Sequence, residues 1–258
     1  ASSIGSILPA YFPHKGSPKA LVILVQFQDV KFKSSDPVAT FNHYLNGKAG
    51  EAMAKADKSI FSQKEEHLNY GSVKQYFTDM SHGQFTPQFD IVGPVTVSKN
   101  SAYYGGNGSA RDGADLHFVD MMKEACQLMD SKLNFADYDS NGDKYVDLVY
   151  FIYAGYSESI GGNSSDCLWP KSGTESIGTF DDVHVSRYGI NNELNGTPND
   201  KSIKINGIGL FCHEFSHTLG LPDLYPTNKL TNNNQSPEYW DLMDMGCYQQ
   251  NGYCPIPY

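Results

Sequence analysis

Two histidines and a glutamate stand at a spacing that can do hydrolytic chemistry, in the run His213-Glu214-Phe215-Ser216-His217. On a helix, residues four apart project from one face a turn apart, so both imidazoles can bind a single metal ion. Glu214 then points slightly to the side of that face, where it can hold a metal-bound water without itself ligating, the geometry of a general base. Two imidazoles and a third protein ligand leave a fourth zinc position open for water, whose pKa zinc lowers to about 7. Gly220 and Asp223 extend the motif to HEFSHTLGLPD. A glycine three residues past the second histidine can take a positive φ, end the helix and swing a residue three further on back toward the metal. Pro222 stiffens that return, which makes Asp223 the expected third ligand, with Glu238 and Asp241 as competitors. Cys212 is read as a buried helix residue, because its side chain sits about 100° around the helix from that of His213.

A second cluster of oxygen ligands alternates along residues 137–147, with Asp137, Asp139, Asn141, Asp143 and Asp147. From Asp137 it matches the D-x-D-x-N-G opening of a calcium loop, but Leu148 stands where an EF-hand has its bidentate glutamate; from Asp139, Lys144 replaces the glycine. Five acid or amide side chains in eleven residues repel one another without a cation, so a structural Ca²⁺ is the reading. Other features carry less. Three glycosylation sequons begin at Asn107, Asn163 and Asn195, and no zinc role is given to His14, His43, His67, His82, His117 or His184.

These side chains need elements to position them. Residues 20–27 form a short, continuous apolar and β-branched run, the pattern of a buried central strand, and residues 146–153 form a second. Phe41, Tyr44 and Leu45 stand at helical spacing, and Ser72 can cap a short amphipathic helix over 72–80 that Ser81-His82-Gly83 ends. Residues 85–97 alternate but contain Pro87, Gly93 and Pro94, so they read as edge-like strand broken by turns. Leu116, Phe118, Met121, Met122, Ala125 and Leu128 recur near 3.6-residue spacing, predicting a long amphipathic helix over 114–133 that backs the sheet. Short strands are expected at 183–188 and around 203–205, and a helix over 208–219 that Gly220 ends.

The chain has 258 residues with 19 basic and 29 acidic side chains, a net charge of −10 and a pI near 5.1. That balance speaks against a nucleic-acid or anionic-membrane surface. The apolar run at 20–27 is far below the ~20 residues needed to span a bilayer. Five cysteines are too few and too irregularly spaced for a disulfide scaffold; Cys247 and Cys254 are the best candidates for a bridge. The start, ASSIGSILPA, has no initiator Met, basic n-region or apolar h-region, and reads as a processed form or one lacking its targeting segment.

In these motifs the chain resembles the immune inhibitor A family of secreted bacterial peptidases, within the metzincin-type zinc metalloproteases. The resemblance rests on KALVILVQFQDV, GSVKQYFTDMSHGQF with FDIVGPV, DYDSNGDKYVDLVYFIYAGY, LWPKSG, CHEFSHTLGLPDLY and YWDLMDMG, in the family's order. It implies a zinc endopeptidase with His213, His217 and Asp223 as ligands and Glu214 as catalytic glutamate; most of the wider clan uses histidine as third ligand. It also implies a Met-turn beneath the metal, mapping to Met243 with Met245 as the second candidate, and a possible oxyanion stabiliser at Tyr248. The expected architecture is an α/β (α+β) metzincin-like fold, a twisted mixed sheet with backing and active-site helices. One catalytic domain would span 1–258, with an upper part to 220 and a smaller loop-rich lower part over 221–258. Protein or peptide substrates would lie extended along an edge strand, assigned to residues 153–156. The resemblance places the protein outside the cell, secreted, at the cell surface or in the periplasm. The rival is a metal-stabilised binding module of the same fold with little turnover.

Overall fold

The computed structural model describes residues 11–48, 71–110, 113–201, 203–226 and 236–256; His67 of the sequence reading lies outside them. Strand β1 (Lys19–Gln26) is followed by helix α1 (Pro37–Asn46), whose cap is Asp36, its side chain accepting the Ala39 N–H at 3.0 Å. Helix α2 (Val73–Met80) starts as expected at Ser72, which accepts the Gln75 N–H at 3.1 Å. Then come β2 (Gln88–Thr96), α3 (Ser101–Gly105), α4 (Phe118–Met129), β3 (Val149–Tyr153), β4 (Lys171–Phe180), β5 (Val183–Asn192), the short pair β6 (Leu194–Asn195) and β7 (Lys204–Ile205), and α5 (Ile208–Thr218). Two 3₁₀ segments, Glu238–Trp240 and Met245–Gly252, follow.

Five strands make one mixed sheet in the order β2-β1-β3-β5-β4, parallel throughout except for β4, which runs antiparallel to β5. Because successive strand residues face opposite sides, β1 and β3 divide cleanly between two cores. Val22, Leu24, Tyr150 and Ile152 face a layer that includes Phe41, Tyr76, Phe211 and Phe215. Leu21, Ile23, Val149 and Phe151 face Met121, Met122, Ala125 and Cys126 of α4. Coverage on both faces is why β1 reads as an unbroken apolar run. Helix α5 is pinned from below by Phe215, whose ring meets Phe12, Phe77 and Phe89 edge-on at centroid distances of 5.5, 5.1 and 5.3 Å.

Three expectations change. Helix α4 is shorter than residues 114–133: Asp115, at φ +41°, breaks the helix before it can start, and Leu116 and Leu128 are exposed. Its buried stripe is Met121, Met122, Ala125, Cys126 and Met129, so Leu128 lies off the stripe. Residues 153–156 offer no strand edge, because Tyr153 ends an interior strand hydrogen-bonded on both sides and is buried. The outer strand on that side is β4, whose polar text KSGTESIGTF buries only Ile177 and therefore carries little hydrophobic signal. Finally, all five thiols are free, including Cys247 and Cys254; the Cys247 thiol is turned into the core, where it donates to the Asp244 carbonyl at 3.3 Å.

Candidate metal centre and catalytic cleft

Helix α5 runs through the protein interior: apart from His217, every residue from 208 to 218 is buried. This demands close approach of the following chain, and a Cβ on Gly209 would collide with the Cys247 carbonyl. Polar side chains on such a helix need built partners. His213 Nδ1 lies 2.9 Å from Leu242 O, and His217 Nδ1 lies 2.8 Å from Leu221 O. A carbonyl can only accept, so each Nδ1 carries a proton and each Nε2 is left to face the site. The two rings stand edge to face at 4.8 Å.

Both Nε2 atoms converge on Asp223 Oδ1, at 3.3 Å from His213 and 3.2 Å from His217. The chain returns to the site through Gly220 at φ +99°, the positive φ that the spacing predicts. Among the described residues these three form the only group of three or more His, Cys, Asp or Glu whose ligand atoms lie within 4.8 Å of one another. Asp223 Oδ1 is buried and aligned with no hydrogen-bond donor. An orphaned carboxylate oxygen at the focus of two imidazole nitrogens is a donor set that fits a zinc ion. The neighbouring Asp223 carboxylate overrides the lowering effect of burial on His213 and holds its pKa up to about 11. Burial acts to raise Asp223, but the two histidines beside it win, and its pKa falls.

Glu214 is buried next to this group, and burial pushes its carboxyl pKa up against the opposing pull of both imidazoles. It borders a cavity of about 550 Å³ together with His213, His217, Asp223, Tyr225 and the head of β4, Lys171 and Ser172. A neighbouring, more apolar cavity of about 300 Å³ is lined by Trp169, Pro170, Leu210, Met245 and Tyr248. Tyr248 therefore sits on the cleft beside Glu214, half exposed. Met243 is buried in the same core as Cys212 and Phe215, and its carbonyl accepts the Leu224 N–H at 3.0 Å. Met245 instead faces the apolar cavity, half exposed.

Neither competitor for the third position belongs to this cluster, and Asp241 Oδ1 instead accepts the Met243 N–H. Cys212 is buried in the helix, as read. The acidic residues are not gathered in the same way. Asp139 accepts the N–H groups of Gly142, Asp143 and Lys144; Asp143 accepts that of Tyr145; Asp147 accepts that of Ser140; and Asn141 accepts that of Asp143. Asp137 instead takes a hydrogen bond from Asn134 on the adjoining 3₁₀ turn. Sequence reading missed Tyr225, Ser172 and the two histidine-orienting carbonyls. For Tyr225 and Ser172 the signal was their place in CHEFSHTLGLPDLY and LWPKSG; the carbonyls leave none.

A mixed α/β domain with a buried helix presenting two imidazoles and a carboxylate to one cleft defines a metallopeptidase class of site. Comparison places it more narrowly. Residues 10–254 match the family model described as Immune inhibitor A peptidase M6, catalytic domain, and the chain belongs to that family. It is 26% identical over 259 residues to the Pre-pro-metalloprotease PrtV of Vibrio cholerae serotype O1 (strain M66-2), covering 91% of this chain and 28% of PrtV. It is 27% identical over 263 residues to Immune inhibitor A of Bacillus thuringiensis subsp. alesti, covering 89% of this chain and 36% of that protein. The chain thus spans about a third of the length of these relatives. Among the described residues, no helix is long and apolar enough to cross a membrane.

Proposed function

We propose that the protein is a zinc-dependent endopeptidase of metzincin type, exported from a bacterial cell, that hydrolyses protein substrates with Glu214 as general base and acid. The observation that carries this reading is the convergence of His213, His217 and the unpaired Asp223 Oδ1 beside a buried Glu214. His213, His217 and Asp223 would hold zinc, which when bound supplies Lewis acidity toward a carbonyl and toward water. Glu214 takes a proton from the attacking water and passes it to the leaving amine; burial raises its pKa, and the neighbouring imidazoles oppose that rise. An extended substrate would lie along β4, the outer strand whose head borders the cleft, and pair through its free main-chain groups. Met243 would be the Met-turn residue supporting the site, and Tyr248 and Tyr225, which line the cleft, would face a developing oxyanion. The cleft would separate an upper part to residue 220 from the smaller part that follows. The names of the relatives, a pre-pro-metalloprotease among them, support export and peptide hydrolysis.

Zinc titrated into chelator-stripped protein, with cleavage of a quenched mixed-sequence peptide library as readout, tests the reading beside Glu214→Ala. Cleavage that needs one equivalent of zinc and vanishes in the variant supports it; tight zinc binding without cleavage favours the binding module. For the acidic turn the reading is a structural Ca²⁺ on Asp137, Asp139, Asn141, Asp143 and Asp147. Burial first, then the charges of Asp139 and Asp143, push the Asp147 carboxyl up, a crowding that a cation would relieve. A thermal midpoint indifferent to calcium in the zinc-loaded protein would sink this second reading.

A further inference from the structure

The segment LWPKSG forms a wall of the cleft. Lys171 opens β4, and its ammonium group lies 2.6 Å from Asp115 Oδ2, donates to Gly113 O at 2.8 Å and stands 4.5 Å over the Phe118 ring. Asp115 is a buried acid in an unusual backbone state: its side chain is 0% exposed and its φ is +41°. Its Oδ2 also accepts the Trp169 N–H at 3.0 Å, while its Oδ1 has no partner among the described residues. Its own N–H donates to Asn107 Oδ1; Asn107 in turn donates to Glu158, which also accepts the Gly113 N–H. One carboxylate therefore ties the loop before α4, the loop after β3 and the head of β4 together. A buried ion pair is an inefficient way to stabilise a fold, since apolar residues of the same volume do as well or better. Geometry is what it can add.

Strand alternation shows which geometry. Lys171 points to the α4 face of the sheet, so Ser172 points to the other face, that of α5. There Ser172 and Glu214 line the same cavity.

We propose that the Asp115–Lys171 pair positions the head of β4 so that the Ser172 hydroxyl orients the Glu214 carboxylate for proton transfer. This rests on Glu214 being the base. Ser172, Lys171 and Asp115 are positioning residues; none is a metal ligand.

The test uses the zinc-loaded chain and four variants, with kcat, KM, bound zinc and thermal midpoint measured for each. Ser172→Ala should lose about tenfold in kcat, the scale of a small misplacement at a reacting centre. Its KM and zinc content should be unchanged, and Ser172→Thr, which keeps the hydroxyl, should recover most of the rate. Lys171→Met leaves a lone buried carboxylate and should lower both midpoint and kcat. Adding Asp115→Asn removes that charge, so the double variant should regain its midpoint without regaining kcat. In a Trp240→Phe background Trp169 is the sole tryptophan, and its emission in the double variant should become more open to acrylamide quenching. Wild-type kcat in Ser172→Ala, or recovery of kcat together with midpoint in the double variant, would overturn the proposal. Glu214→Ala run in parallel separates the two ideas. If it still turns over, the base reading fails; if it is dead while Ser172→Ala is intact, only the positioning role fails.

Discussion

Replacing Gly220 by alanine tests the link between one backbone angle and the metal centre. Gly220 adopts φ +99°, outside the range that an L side chain enters readily, and an added Cβ would stand 2.7 and 2.9 Å from the Cε1 and Cδ1 atoms of Tyr11. Positive-φ strain of this kind costs about 1–3 kcal/mol. The Tyr11 ring is about half exposed and can swing aside, so the overlap adds less than it would against backbone. A total of about 2 kcal/mol would lower the thermal midpoint by roughly 4–8 °C in a chain of this size. The turn can also relieve the strain by shifting Leu221, whose carbonyl orients His217, and Asp223 with it. If relief goes entirely that way, zinc binding to the holding conformation weakens by up to about 30-fold. Urea unfolding of the metal-free protein and competition with a chromogenic chelator measure the two effects. Tyr11→Ala in the same background isolates the ring overlap, because only that part is shared by the two sites. Unchanged stability together with unchanged zinc affinity would refute the reasoning that this turn is held against local preference.

Three further outcomes follow from the same geometry. Glu193 is fully buried and accepts the N–H groups of Lys33, Ser34 and Gly155, yet burial outweighs these donors and raises its pKa from 4.5 to about 7. A raised carboxylate favours the protonated fold, so its contribution is full below about pH 4.5 and lost as pH rises through 7, on the order of 3 kcal/mol. Glu193→Gln should flatten that fall in urea unfolding of the metal-free protein between pH 4.5 and 8; a parallel pH profile would count against it. Asp223 raises the pKa of His213 in the metal-free chain, and an imidazole that ligates zinc must be neutral, so zinc should displace a proton from it. Calorimetry in buffers of different ionisation enthalpy should show about one proton released per zinc at neutral pH, and zero release would contradict the pairing. Phe215→Ala removes the ring that packs α5 against Phe12, Phe77 and Phe89 and should cost about 3–5 kcal/mol. A midpoint within about 2 °C of wild type would show that the helix is held by other contacts.

What the sequence alone determined is local. Helical spacing placed His213, Glu214 and His217 on one helix, Gly220 and Pro222 announced the return to Asp223, and Ser72 marked a helix start because capping acts over three residues. The apolar runs of β1 and β3 were legible because burial on both faces leaves no alternation to decode. Tertiary structure decided what depends on distant partners: Leu242 O orienting His213 across 29 residues, Asp115 meeting Lys171, and β4 rather than residues 153–156 forming the sheet edge. It also turned Cys247 inward, away from a bridge, and brought Asp223, rather than Glu238 or Asp241, beside the two histidines. These outcomes leave little periodic trace, since an exposed edge strand needs few apolar residues and a buried ion pair needs only one residue at each end.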